Sequence, residues 1–245
     1  ALFLSNVSTN AWAFSGSSDL AVYGNLNFLL CDTLGDTEAP TSLGTYAYAS
    51  MFSSCTSLIV APKLPATTLA SYCYREMFAR CTSLIVKPEL PATILENRCY
   101  ANMFYGCTSL TIAPELPATT LGTGCYGNMF YGCTSLTTAP KLPATTLANN
   151  CYDNMFSGCT SLTTAPKLPA TTLASYCYYN MFASCTSFKV SETNTGSYTY
   201  SWRIPTSGTG VEATKWHNNM LANTGGTFTS NPTINTTYYV VNEPV

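Results

Sequence analysis

Residues 125 to 148 read CYGNMFYGCTSLTTAPKLPATTLA, and the same pattern returns every 26 residues. Cys73, Cys99, Cys125, Cys151 and Cys177 form one column at this period, and Cys55, Cys81, Cys107, Cys133, Cys159 and Cys185 form a second. A fixed period of this length marks stacked repeats in which each contacts only its neighbours, so the expected fold is a repeat solenoid. Met77-Phe78 recurs as far as Met181-Phe182. Leu58 recurs as Leu84, Leu110, Leu136 and Leu162 and becomes Phe188 at the end, and Leu64 and Leu69 recur in the same way. These constant residues and the two Cys columns are expected to point inward, like on like. One repeat alone could bury none of them, whereas several build a continuous core.

The local pattern predicts the elements. Cys-Tyr-x-x-Met-Phe-x-x-Cys puts apolar residues at i, i+4, i+5 and i+8, which predicts one face of a helical turn or a short 3₁₀ segment. Thr-Ser-Leu-Thr-Thr-Ala is β-branched and predicts a short strand. The prolines at 62, 88, 114, 140 and 166 close it, because proline cannot donate to a ladder. Thr67-Thr68-Leu69 predicts a second short strand. Adjacent repeats then pair in parallel, about 4.8 Å apart. The pairs beginning at Ser71, Arg75 and Ala79 differ from repeat to repeat, which places them in solvent, as does the Lys63, Glu89, Glu115, Lys141, Lys167 column.

The ends depart from the period. Residues 1–46 read as an N-terminal cap with a degenerate first coil, in which Phe28-Leu-Leu-Cys31 stands for Phe52-Ser-Ser-Cys55 and Ala47 for the later Cys. Ala11–Phe14 and Leu20–Tyr23 look like short strands. Residues 47–189 are the array. Residues 190–245 read as a C-terminal cap with an insertion, anchored by Trp202, in which Trp216-His-Asn-Asn-Met220-Leu221 revives the Cys-Tyr-x-x-Met-Phe half. Gly226–Thr229 and Thr237–Val241 look like closing strands. Atypical terminal repeats are expected, since the end of a stack must be sealed against water.

Charged residues make up only 9% of the chain, so its wet surface must rest on Thr, Ser, Asn and Tyr. A net charge of −2 provides no basic field, and nucleic acid is not an expected partner. No apolar run approaches the roughly 18 residues of a membrane span, so no direct membrane insertion is expected. ALFLSNVSTN lacks the charged start and apolar run of a signal peptide, and the chain, which begins at Ala, reads as an excised piece of a longer protein or a mature form.

The twelve cysteines favour an oxidising, extracellular setting. Zinc is not expected, because from Cys55 onwards the separations alternate between 18 and 8 residues and His217 is the one histidine. No metal or other cofactor is anticipated. A catalytic thiol lacks a base beside it. Two readings stay open: small core residues in columns, or disulfides. Bonds within each segment pair Cys73 with Cys81, Cys99 with Cys107, Cys125 with Cys133, Cys151 with Cys159 and Cys177 with Cys185. Bonds across each long loop pair Cys55 with Cys73 and so on. The within-segment scheme is preferred, because the two columns appear together from Cys73 onwards and a residue needed only for bulk would more often be Ile or Leu. Tyr72, Tyr105, Tyr131, Tyr176 and Tyr179 sit at variable sites and form a candidate ligand-binding strip, since tyrosine offers area and a polar tip at low entropic cost. Tyr74, Tyr100, Tyr126, Tyr152 and Tyr178 do not vary and read as packing. Asp32, Asp36 and Glu38 lie close together but lack the glycine and distal glutamate of a calcium loop, and read as a solvated turn.

The stretch MFSGCTSLTTAPKLPATTLA resembles the BspA-type leucine-rich repeat of bacterial surface proteins, whose unit carries Ala-Phe-Ser-Gly-Cys-x-x-Leu followed by a short strand and Pro. Met-Phe here replaces Ala-Phe, the Cys73 column replaces the usual Ile, and the unit is a few residues longer. The resemblance covers roughly residues 47 to 188. It implies a right-handed α/β coil stack with short parallel strands, short helical or 3₁₀ segments and capped ends, on the surface of a bacterium or otherwise extracellular. The expected role is a non-enzymatic binding or adhesion module that recognises a host protein or glycan through its variable face, monomeric in isolation. A phage fibre or receptor-binding segment and a purely structural spacer are the alternatives. The family has no shared catalytic motif, and an enzyme is not expected.

Overall fold

The computed structural model describes residues 20–21, 41–191, 200–203, 219–227 and 237–240. The expectations for Ala11–Phe14, Phe28–Leu34, Cys31, Asp32, Asp36, Glu38, Trp216 and His217 fall outside these residues. Eight short strands run in chain order: β1 (Leu20–Ala21), β2 (Ser42–Leu43), β3 (Leu58–Val60), β4 (Thr68–Leu69), β5 (Lys189–Ser191), β6 (Tyr200–Arg203), β7 (Gly225–Thr227) and β8 (Thr237–Val240). β1 pairs with β3 and β2 with β4, both in parallel. Both predicted strand columns persist through the array as single parallel bridges, Val60 to Val86, Ile112 to Thr138 and Thr138 to Thr164 on one side, and Ile94 to Thr120 and Thr146 to Thr172 on the other. At the C-terminal end four strands form one sheet in the order β6-β8-β5-β7, with β5 and β7 parallel and the other pairs antiparallel. The architecture is a repeat fold of short parallel pairings between successive 26-residue units.

No helix occurs among the described residues, which corrects the predicted helical or 3₁₀ segment and the α/β label with it. Residues 70–81 form a run of overlapping turns. The N–H groups of Cys73, Arg75, Met77, Ala79 and Cys81 donate to the carbonyls of Ala70, Tyr72, Tyr74, Glu76 and Phe78 in their own repeat, at 3.1 to 3.4 Å. The intervening N–H groups of Tyr72, Tyr74, Glu76, Phe78 and Arg80 donate instead to Asn97, Cys99, Ala101, Met103 and Tyr105 in the next repeat, at 2.6 to 3.0 Å. A helix keeps every interior N–H for itself; here every second one is given away. Tyr72, Glu76 and Arg80 have φ of +64°, +58° and +61°, a left-handed position every four residues that no right-handed helix accommodates. The true period of Cys-Tyr-x-x-Met-Phe-x-x-Cys is therefore four, with two residues in and two out.

The same φ corrects the reading of the variable sites. The Glu76 column continues as Asn102, Asn128, Asn154 and Asn180, and the Arg80 column as Gly106, Gly132, Gly158 and Ser184, all with positive φ. Asparagine and glycine are the residues that tolerate this conformation. Variation there is limited by backbone shape, not set by free exposure. Ala79, Ala101 and Ser157, expected in solvent, are buried. The Lys63, Glu89, Glu115, Lys141, Lys167 column is exposed as expected.

Inside, like stacks on like. The rings from Phe52 to Phe182 follow one another at 5.5 to 5.7 Å between centroids, and those from Tyr48 to Tyr178 at 5.8 to 6.0 Å. Parallel rings at this separation, wider than the strand spacing, are stepped, the arrangement that aromatic quadrupoles favour. Met77, Phe78, Leu84 and their equivalents are buried. Residues 219–223 supply a further rung beyond Phe182. The Phe182 and Ser184 N–H groups donate to Met220 and Ala222, so Met220-Leu221 takes the Met-Phe place as a turn, and both residues are buried. The Tyr74, Tyr100, Tyr126 and Tyr152 hydroxyls are buried without a hydrogen-bond partner among the described residues.

From Cys73 to Cys185 every cysteine is a buried free thiol, so the disulfides Cys73–Cys81, Cys99–Cys107, Cys125–Cys133, Cys151–Cys159 and Cys177–Cys185 are not formed, nor are bonds across the long loops. Because the segment runs along the rung instead of winding, each thiol sits in its own column, and burial pushes its pKa up, with help from column neighbours for Cys81 (Cys107 and Cys55) and for Cys99 (Cys125 and Cys73). The second column also has a specific use. The Sγ of Cys81, Cys107, Cys133, Cys159 and Cys185 each donates to the carbonyl of Phe52, Phe78, Phe104, Phe130 and Phe156 respectively, at 3.0 to 3.1 Å. A small, weakly donating side chain does what Ile or Leu could not.

Three outcomes are expected. Phe130→Ala should cost about 3–5 kcal/mol in chemical denaturation, as for a large buried side chain; a silent change would place the phenylalanine column outside the core. Tyr126→Phe keeps the ring stack and removes a buried hydroxyl whose unmet bond costs about 1–3 kcal/mol, so its melting temperature should match or exceed that of the parent. Burial pushes the Cys73, Cys125, Cys177 and Cys185 thiols up from 9.0 to about 12. The unfolded chain therefore loses these protons near 9 while the native state holds them, so stability is level below about pH 9 and falls as pH rises towards about 12. Thermal melts across that window should show the fall. Alkylation without reductant should spare these thiols in the native protein and modify all of them in denaturant.

Candidate functional site

The turn run 70–81 and its equivalents present one outer face, made by the residues between the inward pairs. Tyr72, Tyr105, Tyr131, Tyr176 and Tyr179 all lie on it, half-buried. They fall into three groups. Tyr72 stacks on Tyr46 at 4.8 Å. Tyr105 stacks on Tyr131 at 5.0 Å with planes 5° apart, and the Arg80 guanidinium carbon lies 5.5 Å from the Tyr105 centroid. Tyr176 meets Tyr179 edge-on at 5.7 Å. The five tyrosines therefore share a face but do not form an unbroken strip. The middle pair, with Arg80 above it, is a flat aromatic ledge one repeat apart.

Beside that ledge the face is notched. The Tyr105 and Tyr131 N–H groups donate to the carbonyls of Asn102 and Asn128 at 3.1 Å, so a single turn joins the ledge to the notch. The pocket has a volume of about 190 Å³ and is lined by Arg75, Arg98, Asn102, Asn128, Asn150 and Asp153 around Gly124 and Gly127. Its origin is a local loss of side chains. The column Tyr72, Arg98, Gly124, Asn150, Tyr176 and the column Arg75, Ala101, Gly127, Asp153, Tyr179 both reach glycine in the same repeat. The Arg98 side chain lies against Gly124, where an added Cβ would meet its Cγ at 3.2 Å, so the open space is over Gly127, with Asp153 on the far side.

The polar groups around the notch are unequally committed. Arg75 pairs with Glu76 at 2.7 Å, a partly exposed contact of small energetic value. Glu76 also accepts from Asn102 at 3.5 Å. Asp153 accepts from Asn150 at 3.5 Å and from Asn154. Burial pushes its carboxyl up, against the pull of those amides and of the Arg98 charge. Along this column amides donate to the preceding repeat at two places, Asn102 to Glu76 at 3.5 Å and Asn180 to Asn154 at 3.1 Å. The series breaks at Asn128, whose side-chain amide has no hydrogen bond among the described residues. The Arg98 guanidinium likewise makes no hydrogen bond or ion pair among the described residues, although its backbone N–H donates to Thr123 at 3.0 Å. Reading the sequence did not single out these residues; the available signal was the coincidence of two glycines in one repeat where the flanking repeats carry larger residues.

Other features are plain. Ile85, Val86 and Ile112 are exposed on the strand side, and threonines beside them donate across one repeat, as Thr163 does to Thr137 at 3.3 Å. Among the described residues no group of three or more His, Cys, Asp or Glu is placed to hold a metal, and the buried, protonated thiols are not set up as nucleophiles.

No protein family matches this chain, and neither a curated protein nor a solved structure is similar enough to be matched.

Proposed function

We propose that the chain is a non-enzymatic, extracellular binding or adhesion module of a bacterial surface protein, built as a capped solenoid of BspA-like leucine-rich repeats, and that it recognises a host protein or glycan through the outer face of its turn segments. The observation that carries this reading is the Tyr105–Tyr131 ledge with Arg80 beside it. These rings are held half-exposed by a rigid backbone ladder, although the core beneath them does not need their bulk. Rigid tyrosines lose little entropy on contact and offer both a flat apolar surface and a hydroxyl. A stack of near-identical rungs also lets weak contacts add along its length.

Binding of the full chain to arrays of glycans and host matrix proteins tests the reading. The parent should retain at least one ligand class. Tyr105→Ala with Tyr131→Ala should weaken that binding about tenfold or more while leaving the melting temperature nearly unchanged, as expected for anchoring aromatics at an interface. Arrays blank for the parent would sink the reading and favour a spacer.

A further inference from the structure

We infer that the notch between Arg98 and Asp153 is a subsite for one acidic sugar residue, a hexuronic acid or a similar carboxylated pyranose, beside the Tyr105–Tyr131 ledge. The inference deepens the binding role proposed above and rests on it, by naming the ligand's chemistry. Size comes first. At about 190 Å³ the notch is smaller than the roughly 300–1,000 Å³ of pockets for drug-sized ligands, and suits a single ring.

The open floor comes second. A Cβ added at Gly127 would meet only the Gly124 and Asn150 carbonyl oxygens, at 3.4 and 3.7 Å. Gly127 does not have a positive φ either. Neither sterics nor backbone shape requires glycine there, and what its absent side chain supplies is space. The Gly122 position is different, since a Cβ there would run into the Glu96 backbone at 2.5 Å.

The chemistry of the walls comes third. The Arg98 guanidinium bears on Asp153 only through its charge, makes no side-chain hydrogen bond among the described residues, and is a planar fork suited to a carboxylate. Arg75 lines the same side but is paired with Glu76, so the charge available to a carboxylate there is that of Arg98. On the far side the Asp153 carboxylate is held by Asn150 and Asn154 and can accept only from donors such as hydroxyls. Between them the Asn128 amide, without a side-chain hydrogen bond among the described residues, offers a donor and an acceptor together. A carboxylate at one end and hydroxyls along the rest of a ring satisfy all three. The adjoining tyrosine ledge can pack against the sugar that follows in a chain.

Titration of the full chain with sodium glucuronate, glucose and glycine, followed by ligand-observed NMR, tests this. Glucuronate should bind in the millimolar range, with glucose at least about tenfold weaker. Arg98→Gln should bring glucuronate down to the level of glucose. Gly127→Leu should abolish binding of both sugars without lowering the melting temperature. Equal binding of glucose and glucuronate, binding of glycine in preference to either sugar, indifference to Arg98→Gln, or no binding of any probe would each overturn the inference. If the array ligand still depends on Tyr105 and Tyr131 when glucuronate fails, the notch assignment falls alone. If glucuronate binds and depends on Arg98 while the tyrosine pair proves irrelevant, the ledge reading falls instead.

Discussion

The structure depends on how one short segment divides its amide protons. Between Ala70 and Cys81, alternate N–H groups close turns inside the repeat and the others cross to the next one. The first set bends the chain; the second ties it to its neighbour at a 26-residue offset. Neither set alone would suffice, since isolated turns are marginal and a ladder without turns would be a flat strand with side chains in strict alternation. The compromise requires a left-handed residue every four positions, and that requirement selects Asn and Gly in the middle repeats.

Everything buried follows from the register this ladder imposes. Phenylalanine must meet phenylalanine and tyrosine must meet tyrosine, because a 26-residue offset brings identical positions together. The same rule explains the thiols. A position beneath the Phe carbonyl of the preceding repeat has room for a small side chain and an acceptor waiting for it, and cysteine meets both conditions without oxidation. It also explains the Tyr74, Tyr100, Tyr126 and Tyr152 hydroxyls, which the repeat carries from rung to rung although no group among the described residues satisfies them. Where the repeat is free to change, on the outer face, the changes do not cancel. Two glycines falling in one rung open a notch, and two tyrosines in successive rungs make a ledge.

Much of this was legible in the residues. The 26-residue period, the inward set from Met77-Phe78 to Leu162, the parallel strand columns and the return of Met-Phe at Met220-Leu221 all follow from pattern alone, because burial in a stack demands that inner positions repeat. The turn run was misread as helical because i, i+4, i+5, i+8 satisfies both a 3.6 and a 4.0 period over so short a stretch. Asn102, Asn128 and Asn154, at a fixed spacing from Gly106, Gly132 and Gly158, carried the information that separates the two. The cysteine pairing does not follow from the two columns appearing together, because the thiols that act on Cys99 are those of its own column, Cys73 and Cys125, in the neighbouring repeats.

Sequence by itself determined that units stack and which side chains they hide, since periodicity encodes burial directly. Tertiary structure alone decided where the amide protons go, that the thiols face their own columns, and that Arg98, Asn128 and Asp153, from three different repeats, line one cavity. Those outcomes depend on distances between residues far apart in the chain, and such distances exist only once neighbouring repeats have docked in register.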